Sequence, residues 1–394
     1  MNVLERFEGG RSFLVGSLAV GLVGLAATAI GFVLEPRETL FSYLVAIAYW
    51  LGMAVGALIL LAILHASNAK WPVVVRRMLE RMAASCLVFV PLFIPILLGM
   101  RQLFVWVSRP ASLSEETRAL LDQKQAYLNV PFFLLRTAIY LILWGAVAYL
   151  LNTWSVRQDT SRDTRWTLKQ RRLGAFSLPF LGLSITFAAF DWLMSIEPTW
   201  YSTIFGVYYF AGGFVGAIAL LTLITVLAQG PNLYGSLVSV DHLHNLGNFL
   251  FAFVIFWAYI AFSQFMLTWI ADLPEEAPWY LVRAAGEWQP VGIALAIGHF
   301  LVPFFILLFR RVKRDRRALG AVAAWVLLFH YLDVYWVIMP ALRPGSIWPS
   351  WTHLTALVGV GGVAVAFTLW MLRGGYTVPV GDPYLQLSLR YRQP

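Results

Sequence analysis

Residues 40–66 contain no Asp, Glu, Lys or Arg, and stretches of this kind recur along the whole chain. Roughly 20 apolar residues in a helix, at about 1.5 Å each, cross the ~30 Å hydrocarbon core of a bilayer. In lipid the backbone must satisfy its own hydrogen bonds, so only helices and closed barrels span. A barrel would be written in short alternating segments. The expected class is therefore an all-α polytopic membrane protein. Ten spans are expected, at about 11–34, 40–66, 84–106, 128–152, 174–195, 200–228, 242–271, 288–309, 318–340 and 353–373. The composition agrees: 60% of residues are hydrophobic, 12% are charged, and the mean hydropathy is +0.71. Soluble domains carry about twice that charge.

No soluble domain interrupts the spans, so residues 1–394 are expected to form a single membrane domain. The longest connections are 107–127 and 153–173. The first holds LSEETRALLDQK, where Ser114 is placed to cap a short surface helix. The first apolar run is too long for a signal-peptide core.

The net charge of +9 is a topology signal. Of the 29 basic residues, 21 fall on the side shared by both termini and the even-numbered connections, and 6 on the other. Positive residues stay cytoplasmic, so both termini are expected there, with lipid headgroups rather than nucleic acid as the basic side's partner. The remaining two, Arg101 and Arg136, lie inside spans. Cys86 is the only cysteine. That excludes an intrachain disulfide and an all-cysteine iron–sulfur cluster, and no CxxCH is present for haem c.

Charged groups inside spans are costly and face the bundle interior. Asp191 is expected about 25 Å along span five, and Arg136 about 12 Å below the same surface in span four. Arg101 falls near that surface in span three. These three residues are expected to share one depth, as a polar pocket or as an ion-paired staple. His299 and His330 fall near the midplane of spans eight and nine. Asp333, three residues beyond His330, shares its helix face. A buried His–Asp pair needs a partner, and the two can share a hydrogen bond as a proton relay or as a structural pair. Two midplane histidines also match the ligand pair of a haem b, although four-helix cytochromes supply more of them. At the start of span seven, VDHLHNLGNF sets Asp241, Asn245 and Asn248 on one face, with His244 beside Asn248. This is either a proton entrance or a solvated helix start. Glu197, Trp200 and Tyr201, in the short turn between spans five and six, are expected at the interface as belt residues.

Two stretches, FDWLMSIEPTWYSTIFGVYYFAG at 190–212 and HNLGNFLFAFVIFWAYIAFSQFMLTWIADLPEE at 244–276, closely resemble the F subunit of alternative complex III. That complex is the bacterial quinol:cytochrome c/HiPIP oxidoreductase. HYLDVYWVIMP at 330–340 is similar to a third hallmark of that subunit. The resemblance implies an NrfD/PsrC-like fold, with four-helix bundles at 40–195 and 200–340 and peripheral helices at 11–34 and 353–373. It implies a multi-pass subunit of the bacterial inner membrane that holds no redox cofactor and is not catalytic alone. Its partners would be the paralogous NrfD-like subunit, an iron–sulfur subunit and cytochrome c subunits, with haem c and iron–sulfur clusters confined to those chains. Menaquinol is the implied substrate of the complex. On this reading Asp333, His330, His299, Asp241, His244 and Asp191 would mark a proton route. Asp191, Arg101 and Arg136 would line a quinol pocket. A ten-span secondary transporter, with helices broken at Pro91, Pro95, Pro179 or Gly212-Gly213, and an inert structural anchor are the competing classes.

Overall fold

The computed structural model describes residues 6–228 and 233–393, and the described residues form helices and turns. Among the described residues, nine helices are long and apolar enough to cross a membrane. They are α1 (Arg11–Leu34), α2 (Pro36–Ala66), α4 (Val130–Ser161), α5 (Arg165–Ile196), α6 (Phe205–Leu227), α7 (Val240–Ala271), α8 (Trp288–Leu308), α9 (Arg316–Ala341) and α10 (Trp351–Leu372). A tenth, α3, qualifies when its two pieces, Val73–Leu87 and Phe89–Leu98, are joined across a 43° bend. Pro91 and Pro95 lie just past that bend. Each lacks the amide that a helix interior needs and crowds the preceding turn.

α2 occupies the centre. It packs against α3, α5, α6 and α10, and 89% of its most apolar window is buried. α6 packs on α7 and α9, α4 packs on α3 and α5, and α7 packs on α8. α1 sits at the periphery, with 17% of its window buried, and pairs with α10. That pairing depends on small residues. A Cβ on Gly24 would stand 2.7 Å from Gly359 Cα, and one on Gly21 would stand 2.7 Å from the Val363 amide nitrogen. Helices in lipid associate by such close backbone approach. Gly24→Leu is therefore expected to detach α1 from α10. A crosslink engineered between the two helices would form at least tenfold more slowly, and an unchanged rate would refute the contact.

Two local expectations resolve simply. Ser114 caps Glu115–Gln123, accepting from the Thr117 amide at 3.2 Å. Gly212 and Gly213 do not break α6, which is continuous. Instead a Cβ on Gly213 would meet Gly52 O at 2.6 Å, so the glycine lets α6 lie directly on α2.

The third span begins earlier than its charges imply. Val73–Ala84 is helical and buried throughout, including Arg76, Arg77, Glu80 and Arg81. Arg77 donates to Glu80 at 3.0 Å and also pairs with Asp159 on α4. Arg76 bonds Glu80 at 3.2 Å and Asp382 at 2.6 Å. Arg81 donates to Asn152 at 2.5 Å. The C-terminal segment completes this end of the molecule. Ser388 donates to Trp71 O at 2.6 Å and accepts from the Val74 amide at 3.1 Å.

Candidate functional site

Asp333 lies on α9 and is 3% exposed. Its carboxylate accepts two hydrogen bonds, from the Tyr208 hydroxyl of α6 and from Trp257 Nε1 of α7 at 3.1 Å. A buried carboxylate without such donors would be prohibitive. Three separate helices therefore converge on one acid.

His330 does not hydrogen-bond to Asp333, contrary to the relay geometry expected from their spacing. Both of its ring nitrogens are buried without a partner among the described residues. The ring lies 5.2 Å from that of Tyr49 on α2 and close over α6, where a Cβ on Gly216 would stand 2.7 Å from His330 Cδ2. The i, i+3 spacing puts the two residues on one face, but Tyr208 and Trp257 take the carboxylate first. A cavity of about 10 Å³ touches His330, Asp333, Tyr208 and Gly212, room for about one water.

His299 is also buried with unpartnered ring nitrogens, and it stacks on Trp257 with centroids 4.0 Å apart. It sits in a π-helical turn, Leu295–Leu301, inside α8. Pro303 explains the widening, because it has no amide to offer the carbonyl of His299 four residues back. Trp325 Nε1 bonds the Gly298 carbonyl at 2.7 Å, satisfying one acceptor in the turn. The His299 and His330 rings are 6.3 Å apart. Tyr49, Trp257 and the glycine face of α6 close around them. Among the described residues no group of three or more His, Cys, Asp or Glu side chains is arranged to hold a metal ion.

Asp191 on α5 is fully buried and is held by Arg136 of α4 in a two-pronged pair, with both bonds at 2.8 Å. Tyr140 adds a third bond at 2.8 Å. Arg136 also donates to Tyr127 O at 3.1 Å and lies 3.8 Å from the Tyr127 ring. The expected shared depth of Asp191 and Arg136 is realised as this closed staple. Arg101 is not part of it. It is exposed, on the short helix Met100–Leu103 beyond the bend of α3.

Asp241 and His244 sit at the start of α7, and both have partners. Arg314 reaches Asp241 at 2.7 Å, and His244 contacts Gln393 of the C-terminal segment. His242 bonds the Ser388 carbonyl at 3.1 Å. The C-terminal segment thus lies across this helix start, whose polar groups the sequence reads either as a proton entrance or as a solvated end.

At the opposite end the turn between α5 and α6 is more than a set of belt residues. Trp200 is buried and stacks on Trp279 at 4.4 Å. Glu197 accepts from Arg283 at 3.0 Å. Arg283 is 1% exposed, donates to the Val337 carbonyl at 2.8 Å and lies 3.5 Å from the Trp279 ring. Lys124, in the connection before α4, donates to Pro198 O at 2.6 Å, and partial burial lowers its pKa. Sequence reasoning missed Tyr208, Trp257 and Arg283, because tyrosine and tryptophan are ordinary in bilayer helices and Arg283 reads as a loop charge.

No protein-family model matches the chain, and no curated protein matches it significantly.

Proposed function

We propose that this chain is an integral, cofactor-free subunit of a bacterial quinol:cytochrome c/HiPIP oxidoreductase of the alternative complex III type. In this reading α2–α5 and α6–α9 are two four-helix bundles of an NrfD/PsrC-like fold, with α1 and α10 peripheral. Both termini face the cytoplasm, and the chain docks beside a paralogous NrfD-like subunit, an iron–sulfur subunit and cytochrome c subunits. Asp333 is the proton-carrying group, with Tyr208 as its hydrogen-bonded neighbour, and His330 and His299 line the path at the same depth. Asp191 and Arg136 form a structural staple.

One observation carries the reading. The three stretches that resemble the complex III subunit supply the groups around Asp333: Tyr208 from the first, Trp257 from the second, and His330 and Asp333 from the third. Long motifs that meet around one buried acid fit a shared role in moving protons better than three unrelated packing solutions. An ionisable residue at membrane depth marks ion or proton pathways by default. The bend in α3 favours the competing transporter class, since transporters break helices at their binding sites.

Purification of the tagged chain from its native membrane in mild detergent separates the classes. Haem c absorbance and iron–sulfur signals are expected to co-elute in fixed ratio with it. A chain that elutes alone and intact would refute the complex.

A further inference from the structure

A cavity of about 550 Å³ opens between α7, α8 and the short helix Ala277–Ala284. Its floor includes Tyr208 and Trp257, the two residues that hold Asp333. Its rim includes Phe262 and Ile293, both more than half exposed on the outer surface of the helices. The cavity therefore faces the lipid at one side and the buried acid at the other. Its volume is in the range of small-molecule sites.

The walls define the ligand. Trp257, Phe265, Tyr280, Phe300 and Trp336 present aromatic faces, which favour a flat ring. Two hydrogen-bond donors are unspent. Trp336 Nε1 is buried with no partner among the described residues, and it is the atom nearest the Cβ position of Gly292, another wall residue, at 3.8 Å. Tyr280 accepts from Gln264 at 3.0 Å, which leaves its own hydroxyl hydrogen to donate. A buried donor without an acceptor costs about 1–3 kcal/mol, so a ligand oxygen here would be rewarded. A lipid acyl chain offers none.

We infer that this cavity binds the ring of an isoprenoid quinone, with a ring oxygen accepting from Trp336 and Tyr280 and the tail leaving between Phe262 and Ile293. The inference rests on the quinol reading above for its ligand class. It places the ring against α7 and α8, away from the Asp191–Arg136 staple, whose hydrogen bonds are already taken.

The test uses the full chain in phosphatidylcholine nanodiscs, titrated with a heptyl hydroxyquinoline N-oxide. This quinone analogue has a fluorescence that is quenched on binding. Saturable quenching above that of protein-free discs is expected. Trp336→Phe should weaken binding about fivefold, the loss of one neutral hydrogen bond. Gly292→Phe should weaken it more than tenfold by filling the cavity; the glycine's nearest neighbour is 3.8 Å away, so the helix tolerates the ring. No quenching above empty discs would mean that the cavity holds only lipid chains, and would overturn the inference. Quenching that is unchanged in Gly292→Phe would place the ligand elsewhere and overturn it equally. Neither result bears on co-purification with haem-bearing partners, so failure here and failure of the complex III reading are distinguishable.

Discussion

On the proposed reading, Asp333→Asn is expected to cut proton movement at least tenfold in the proposed quinol-oxidising complex reconstituted in liposomes, with assembly preserved. Tyr208 donates to one carboxylate oxygen and Trp257 to the other. Asparagine keeps the shape but offers one oxygen, so one donor loses its acceptor at a cost of about 1–3 kcal/mol. A bundle buried this extensively tolerates that. What asparagine cannot do is bind and release a proton. Normal quinol turnover with lost proton movement would place Asp333 on a coupled path. Loss of both, with the complex still assembled, would make its protonation an obligatory step of turnover. Full proton movement at the normal rate would reduce Asp333 to an acceptor that ties α6 and α7 to α9, and the proposed role would fall.

The second large effect is on stability, at the other end of the helices. Arg77 is fully buried and bridges Glu80 and Asp159. Arg77→Met keeps most of the side-chain volume and removes the charge. Glu80 then retains Arg76 at 3.2 Å and Ser155 at 2.8 Å, while Asp159 is left with the Gly381 amide at 3.3 Å. Breaking a buried pair by deleting one partner costs about 3–5 kcal/mol. For a chain of this length that is roughly 5 °C in the thermal midpoint, read in detergent by dye binding. Arg77→Met combined with Asp159→Asn should recover part of the loss, because the stranded charge is gone. A single variant that melts with the native protein would show that water reaches this network.

The membrane class was legible because apolarity over about 20 residues does not depend on contacts. Helix boundaries were less so. Arg76, Arg77 and Arg81 read as the edge of a span, because a sequence window sees three cations and one anion. Their neutralisers, Asp159 and Asp382, are distant in the chain and are brought near only by folding. Asp191 and Arg136 were legible from depth alone, since opposite charges at one depth have few alternatives to pairing. Arg101 was not, because the prolines turn the end of α3 and carry it outward. At Asp333 the spacing located the acid but not its partners. A tyrosine and a tryptophan on two other helices leave no periodic trace that separates them from ordinary lipid-facing aromatics.

The ion network that fastens the C-terminal segment also sets a timetable. Arg76 and Asp382 are 306 residues apart. At about 5–20 residues per second, synthesis separates them by roughly 15–60 s. Through that interval Arg76 has Glu80, one turn along its own helix, as its carboxylate partner, and Asp382 is still to come. The Arg76–Asp382 pair therefore closes only after the last span has been made, and this end of the molecule is the last to be fixed.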